Sequence, residues 1–192
     1  VLCHAVEAYV AKGAGAMTDL LAREAFSSAY ASLPASYAGN KTVRLKVHLA
    51  ATMAGMSFSQ AGLGLCHAIS HSLGGEFHTP HGRLNAILLP AVIEHNSAVS
   101  GHRYAQLARA AGLSSGSDTI ALRALKNALV RLRKALMLPE TLVQAGIPTA
   151  EVEHKMEKLV KAALNDPCCR TNPLRSDEAV IRSIIWQVAG RG

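Results

Sequence analysis

The sequence has 192 residues, 49% hydrophobic and 17% charged, which excludes an intrinsically disordered chain and is enough to bury a core. No apolar run reaches the roughly 18 residues of a membrane-spanning helix, and the net charge of +7 permits an acidic partner without requiring one. Nine histidines beside only 4% aromatic residues indicate a metal site or proton chemistry.

The chain opens with a helical pattern. Residues 1–8 resemble the middle of a helix, without an initiator methionine or a leader segment, so we expect a piece of a longer protein. Thr18 and Asp19 are predicted to begin a second helix, which Pro34 ends. The segment from about residue 42 to residue 58 is apolar almost all round, which predicts a central buried helix.

Two helices are predicted around the histidine-rich middle of the chain. The first runs from about Leu65 to Leu73 and ends at the Gly74-Gly75 pair. The next begins near His81, and Pro90 is expected to kink it.

Three further helices are predicted in the last third of the sequence. Ser117 precedes leucines at three- and four-residue steps, and Thr149 and Ser176 are predicted to cap the two helices that follow. Alternating strand patterns and hairpin turns are absent from the sequence. We therefore expect residues 1–192 to form one all-α domain of roughly eight helices.

The cysteines favour a reducing, cytoplasmic environment. None of the four has a C-x-x-C spacing, and two of them are adjacent, which is a poor arrangement for a disulfide. The four are Cys3, Cys66, Cys168 and Cys169.

The densest chemical cluster lies between Cys66 and Gly82 and contains four of the nine histidines. His67 and His71 are four residues apart and share a helix face. A turn at the glycine pair can return His81 to the face that holds His67. Converging neutral imidazoles suit Fe(II), Zn, Co or Ni, whereas an isolated histidine is more often a capping or core residue.

These residues carry a resemblance to a known family. Residues 64–75 (Gly-Leu-Cys-His-Ala-Ile-Ser-His-Ser-Leu-Gly-Gly) and 77–82 (Phe-His-Thr-Pro-His-Gly) resemble the signature of the iron-containing (group III) alcohol dehydrogenases. Residues 4–9, 54–64 and 171–173 are similar to further motifs of that family. The resemblance covers the whole chain, and it is strongest to bacterial 1-propanol dehydrogenases of propanediol utilisation, with ethanolamine-utilisation enzymes as near neighbours.

The resemblance implies a metal site and its ligands. Position by position, His4, His67 and His81 match the family's histidine ligands for Fe(II) or Zn. The fourth ligand of the family is an Asp four residues before the first histidine, which falls one residue before Val1. We therefore expect weaker metal binding by the three histidines alone.

Three more residues match positions beside the substrate or the cofactor in the family. His71 corresponds to a histidine near the nicotinamide, where it orients the reactants or relays a proton, although a supporting structural role is the alternative. Phe58 and Cys168 match walls of the substrate pocket. The alternatives are a core phenylalanine and an inert buried thiol.

The resemblance also implies the fold and the reaction. The chain corresponds to the C-terminal helical metal- and substrate-binding domain of the dehydroquinate-synthase-like fold, without the family's N-terminal α/β nucleotide domain. That domain binds most of NAD(H) or NADP(H). The intact enzyme is expected to interconvert a short-chain primary alcohol and its aldehyde, such as 1-propanol and propionaldehyde or ethanol and acetaldehyde. It is expected to self-associate in the bacterial cytoplasm or a metabolic microcompartment, and this chain alone is expected to be inactive.

Two other classes of function remain open. One is a helical metal-binding or assembly module without catalysis. The other is a nucleic-acid-binding helical protein, suggested by the basic face between Arg123 and Lys134. No aromatic residues interleave with those basic residues and no recognition motif is present, so we expect neither a nucleic acid nor a membrane as a partner.

Overall fold

The structure, a computed structural model, describes residues 1–190, which form nine α-helices and no strand. This confirms the predicted all-α class. The helices are α1 (Leu2–Val10), α2 (Ala16–Tyr37), α3 (Lys41–Ala61), α4 (Leu65–Phe77), α5 (His81–Ala110), α6 (Asp118–Ala135), α7 (Thr149–Asn165), α8 (Pro167–Thr171) and α9 (Glu178–Ala189).

The longest helix, α5, is the centre of the core and packs against α1, α4, α6 and α9. Its buried face carries large apolar side chains such as Leu84, Leu88, Ile93 and Leu107, each fully buried. Helices α2 and α3 form a pair that packs on α1. The short α1 therefore lies between this pair and α5, and so its side chains reach the start of α5 and α4.

A tight connection joins α4 to α5. His78 adopts the left-handed conformation (φ 52°) at the end of α4, and its N–H donates to the carbonyl oxygen of Gly74 at 2.9 Å. Pro80 then precedes His81, the first residue of α5. This turn, formed by residues 78–80 and not by the predicted glycine pair, places His81 back beside α4 and gives His78 a capping role.

Several predicted helix ends were wrong. Helix α2 continues through Pro34 to Tyr37, and α4 continues through the glycine pair to Phe77. Proline removes one backbone donor, and in the last turn of a helix that loss affects a single hydrogen bond. The residue that caps α9 is Asp177, whose side chain accepts from the N–H of Val180 at 2.9 Å, and not Ser176. The five-residue α8 was not predicted.

The predicted burial of the third helix was also wrong. Helix α3 buries only small side chains, at four- and three-residue steps, against α2 and α1. These are Ala50, Ala54, Ser57 and Ala61. Leu45 and Leu49 on its outer face are 62% and 55% exposed, because no other element among residues 1–190 covers that face.

No helix among the described residues combines the length and the apolar character needed to cross a bilayer.

Candidate metal centre

Three helices bring three imidazoles together. His4 comes from α1, His67 from α4 and His81 from α5, and one ring nitrogen of each lies within 4.8 Å of the others. The ring centroid of His67 is 4.5 Å from that of His4 and 5.1 Å from that of His81. Three converging imidazoles form a donor set suited to one divalent cation such as Fe(II) or Zn. The structure thus brings together all three residues predicted as ligands.

Polar side chains contact the ring nitrogens of His67 and His81 and orient the two rings. The side-chain amide of Asn85, one turn after His81 on α5, donates to Nε2 of His81 at 2.9 Å and lies 3.3 Å from Nε2 of His67. The hydroxyl of Ser70 lies 3.1 Å from Nδ1 of His81. The Nε2 atoms of both rings therefore point toward the same side-chain amide, that of Asn85.

Glu7 is the nearest carboxylate to the three imidazoles. It is only 2% exposed, and its Oε2 lies 2.6 Å from Nδ1 of His67. Its two oxygens also accept the backbone N–H groups of Gly64 (3.0 Å), Cys66 (2.7 Å) and His67 (3.3 Å). These N–H groups lie at the start of α4, where a helix has no partners of its own for them.

The surroundings of the three histidines shift their pKa values in different directions. Burial, together with the neighbouring His67, lowers the pKa of His4 to about 3, so the His4 imidazole is neutral at physiological pH. Burial also lowers the pKa of His81. Burial acts the same way on His67, but the Cys3 thiol and the Glu7 carboxylate outweigh it and raise the pKa of His67. A cation that binds His67 through Nε2 must therefore displace a proton.

His71 lies at the edge of the same cluster, one turn after His67. Its ring stacks on that of His81 with centroids 5.2 Å apart, and its Nδ1 lies 2.9 Å from Oδ2 of Asp166. Burial raises the pKa of Asp166, but hydrogen bonds from His71 and from the N–H of Cys168 lower it below its usual value. Asp166 therefore holds the His71 ring as an ionised acceptor.

The two predicted pocket residues lie beside the histidines. The ring of Phe58 stacks on that of His4 with centroids 4.8 Å apart, so Phe58 borders the histidine cluster. The Cys168 thiol lies within 4.8 Å of ligand atoms of His71 and Asp166. Burial and the Asp166 carboxylate raise the pKa of the Cys168 thiol to about 12, so it stays protonated and weakly reactive.

An apolar cavity of about 240 Å³ is lined in part by His4 and His81. Its walls come from α1, α2, α3, α5 and α6 and include Leu33, Leu129 and Leu132. This space can accommodate a small aliphatic group next to the two imidazoles.

The chain matches one family model over almost its whole length. Residues 1–188 match the C-terminal domain model of the Fe-containing alcohol dehydrogenase family. The chain belongs to the iron-containing alcohol dehydrogenase family. This confirms the family that the histidine motifs indicated.

Characterised members of this family align with nearly all of the chain. It is 41% identical over 194 residues to a 1-propanol dehydrogenase of Salmonella typhimurium. That alignment covers 98% of this chain and 52% of that enzyme. It is 40% identical to an NADPH-dependent butanol dehydrogenase of Clostridium saccharobutylicum, with 92% of this chain and 46% of that enzyme covered. The chain therefore spans about half the length of these relatives.

Solved structures of the family share the fold. A 1,3-propanediol oxidoreductase superposes with a TM-score of 0.90 at 32% identity, covering 97% of this chain and 49% of the other. An iron-containing alcohol dehydrogenase from Thermococcus thioreducens gives a TM-score of 0.87, also at 32% identity, with 97% and 48% covered. The nine-helix arrangement is thus the helical half of this family's fold.

Glu7, Asn85 and Asp166 are the site residues that sequence reasoning missed. Glu7 follows His4 by three residues and Asn85 follows His81 by four, so each shares a helix face with a predicted ligand, and that spacing is the signal that could have found them. Asp166 is 95 residues from His71, and no local pattern links the two.

Replacement of either of two glycines at α4 by alanine tests this geometry. The two replacements should change the free energy of unfolding in opposite directions. A Cβ at Gly64 would lie 2.7 Å from Oε1 of Glu7 and 2.7 Å from Oδ1 of Asn172, whereas a Cβ at Gly75 would meet no atom within 4 Å. We expect Gly64→Ala to reduce the free energy of unfolding by about 1–3 kcal/mol through overpacking. Gly75→Ala should increase it by about 0.5–1 kcal/mol, because alanine loses less backbone entropy in a helix.

Chemical denaturation of the two variants beside the unchanged chain measures both effects. Equal stabilities of the two variants would contradict the close approach of Glu7 and Asn172 to Gly64.

Proposed function

We propose that this chain is the metal- and substrate-binding half of an NAD(P)-linked alcohol dehydrogenase, with His4, His67 and His81 as metal ligands. The observation that carries the proposal is the convergence of one ring nitrogen from each of these histidines to within 4.8 Å. The donor set fits the metal, because imidazole nitrogens bind Fe(II) and Zn. Fe(II) is proposed as the resident ion on account of the family, with Zn as the alternative.

The bound ion supplies Lewis-acid polarisation of an alcohol or aldehyde oxygen, while the nicotinamide supplies hydride chemistry. The chain's residues hold and orient the reactants. We propose that Phe58, stacked on His4, and Cys168 form walls of the substrate pocket and exclude water from it. His71 is held at Nδ1 by Asp166, so its Nε2 is the nitrogen that can exchange a proton with the substrate oxygen.

The substrate and partners are proposed from the relatives. A short-chain primary alcohol and its aldehyde are the proposed substrate pair, 1-propanol and propionaldehyde or ethanol and acetaldehyde, and the apolar surroundings of His4 and His81 suit an aliphatic group. An α/β nucleotide domain, which would bind NAD(H) or NADP(H), and a second copy of the protein are the proposed partners. A cytoplasmic or microcompartment location is also proposed.

A chimera tests the function. We suggest joining the first half of the Salmonella typhimurium 1-propanol dehydrogenase to residues 1–192, in place of that enzyme's own matching half. With Fe(II), NADH or NADPH and propionaldehyde, the chimera should catalyse cofactor oxidation. The 192-residue chain alone should bind the metal but show no turnover.

The outcomes separate the candidate functions. Turnover by the chimera that disappears on metal removal supports the alcohol dehydrogenase proposal. A folded chimera that binds one metal ion but reduces neither propionaldehyde nor acetaldehyde contradicts it and favours the non-catalytic metal-binding module.

A further inference from the structure

The Glu7 carboxylate is buried, yet each of its oxygens has partners. Oε1 accepts one N–H and Oε2 accepts two, all at the N-terminal end of α4, and Oε2 also lies 2.6 Å from Nδ1 of His67. A buried carboxylate is strongly unfavourable unless such donors compensate the loss of hydration. These four groups fix the position of the carboxylate.

The contact with His67 determines which ring nitrogen can face the other histidines. Both carboxylate oxygens already accept backbone N–H groups, so in the 2.6 Å contact Nδ1 of His67 is the donor. That leaves Nε2 as the one nitrogen of this ring that can bind a cation, and Nε2 is the atom that lies 3.3 Å from the Asn85 amide. His67 is 1% exposed, so the ring has little room to turn over.

Glu7 also links two helices that each carry a histidine of the cluster. It lies three residues after His4 on α1, and it holds the N-terminus of α4, whose third residue is His67. The distance between these two imidazoles is therefore set in part by the Glu7 side chain, which contacts both His67 and the start of α4.

We infer that Glu7 is a positioning residue of the metal centre: it selects Nε2 of His67 as the ligand atom and sets the spacing of His4 and His67. The inference rests on the proposed function in one respect, namely that these histidines bind a metal ion. Glu7 acts through His67 and through the start of α4, and has no direct contact with the ion.

Glutamine has nearly the same shape as glutamate but cannot make the same contacts. If its NH₂ group faces Cys66, two donors meet at 2.7 Å, the distance now spanned by a hydrogen bond. If the NH₂ group takes the other position, it faces the N–H groups of Gly64 and His67 and forces Nδ1 of His67 to act as an acceptor. The ring then carries its proton on Nε2 and loses its ligand atom.

The test measures Zn(II) affinity of the 192-residue chain and its Glu7→Gln variant by competition with a chelating dye. We expect the dissociation constant to increase about 10- to 100-fold, as for other groups that accept a hydrogen bond from the second ring nitrogen of a metal-bound histidine. Asn172→Ala is the matched control, because Oδ1 of Asn172 accepts the N–H of Leu65 at the same end of α4 and no imidazole. That variant should lower the melting temperature without changing the Zn(II) dissociation constant.

A second measurement requires no variant. In ¹⁵N spectra of the histidine side chains of the Zn(II)-loaded chain, His67 should have a protonated Nδ1 and a metal-bound Nε2. Binding through Nδ1 would overturn the assignment of Glu7 even if Glu7→Gln failed to fold. Equal Zn(II) affinity of Glu7→Gln and the unchanged chain would overturn it as well, while the proposed function would stand. Failure of the unchanged chain to bind Zn(II) would instead overturn the proposed function.

Discussion

Replacement of His81 by alanine should weaken metal binding by this chain more than about 100-fold. The chain then keeps two of its three converging imidazoles. Losing a proposed direct ligand should reduce metal affinity more than losing a supporting group, which reduces it about 10- to 100-fold. His81 is the better choice for this test because it is less buried than His67, so its removal disturbs the core less. Titration with Co(II), followed by its visible absorption, measures the effect directly.

His48→Ala is the control for this experiment. His48 is exposed on α3, away from the three imidazoles, and its replacement should leave Co(II) binding unchanged. Equal Co(II) affinity of His81→Ala and His48→Ala, both folded, would contradict the assignment of His81 as a ligand.

Replacement of His71 by glutamine should lower kcat of the chimera while the metal content stays the same. Glutamine is similar in length and can still donate to Asp166, but it cannot take up and release a proton near neutral pH. Loss of a general acid–base group typically costs about 10²- to 10⁴-fold in rate. Steady-state kinetics with propionaldehyde, together with elemental analysis of the variant, measure the two quantities.

The control for His71 is His154→Gln on the exposed face of α7, which should leave kcat unchanged. A structural role for His71 predicts a different pattern, in which stability or metal content falls and kcat per bound metal ion is unchanged. That pattern would contradict the proton-transfer role.

The three-histidine cluster could be predicted because its spacing is mostly local. His67 and His71 are four residues apart on one helix, and a short turn determines where His81 lies relative to them. His4 is 63 residues from His67, so local spacing cannot place it, and only the resemblance to the family brought it into the cluster. The same limit hid Asp166, whose contact with His71 depends on how α4 packs against α8.

Burial was harder to predict than helix formation. The pattern of α3 is apolar almost all round, which is typical of a core helix, but burial depends on which neighbours cover each face. In this fold α2 and α1 contact the small residues Ala50 and Ala54, and the leucines Leu45 and Leu49 stay exposed. The sequence of α3 shows its helical period, but it does not show how many other helices pack against α3.

The most direct test of the metal centre is anomalous diffraction from crystals of the 192-residue chain grown with Zn(II) and recorded on both sides of the zinc absorption edge. We predict one strong peak per chain within bonding distance of Nε2 of His67 and of a ring nitrogen of His4 and of His81. A peak bound elsewhere, or no peak between these three imidazoles at saturating Zn(II), would contradict the account.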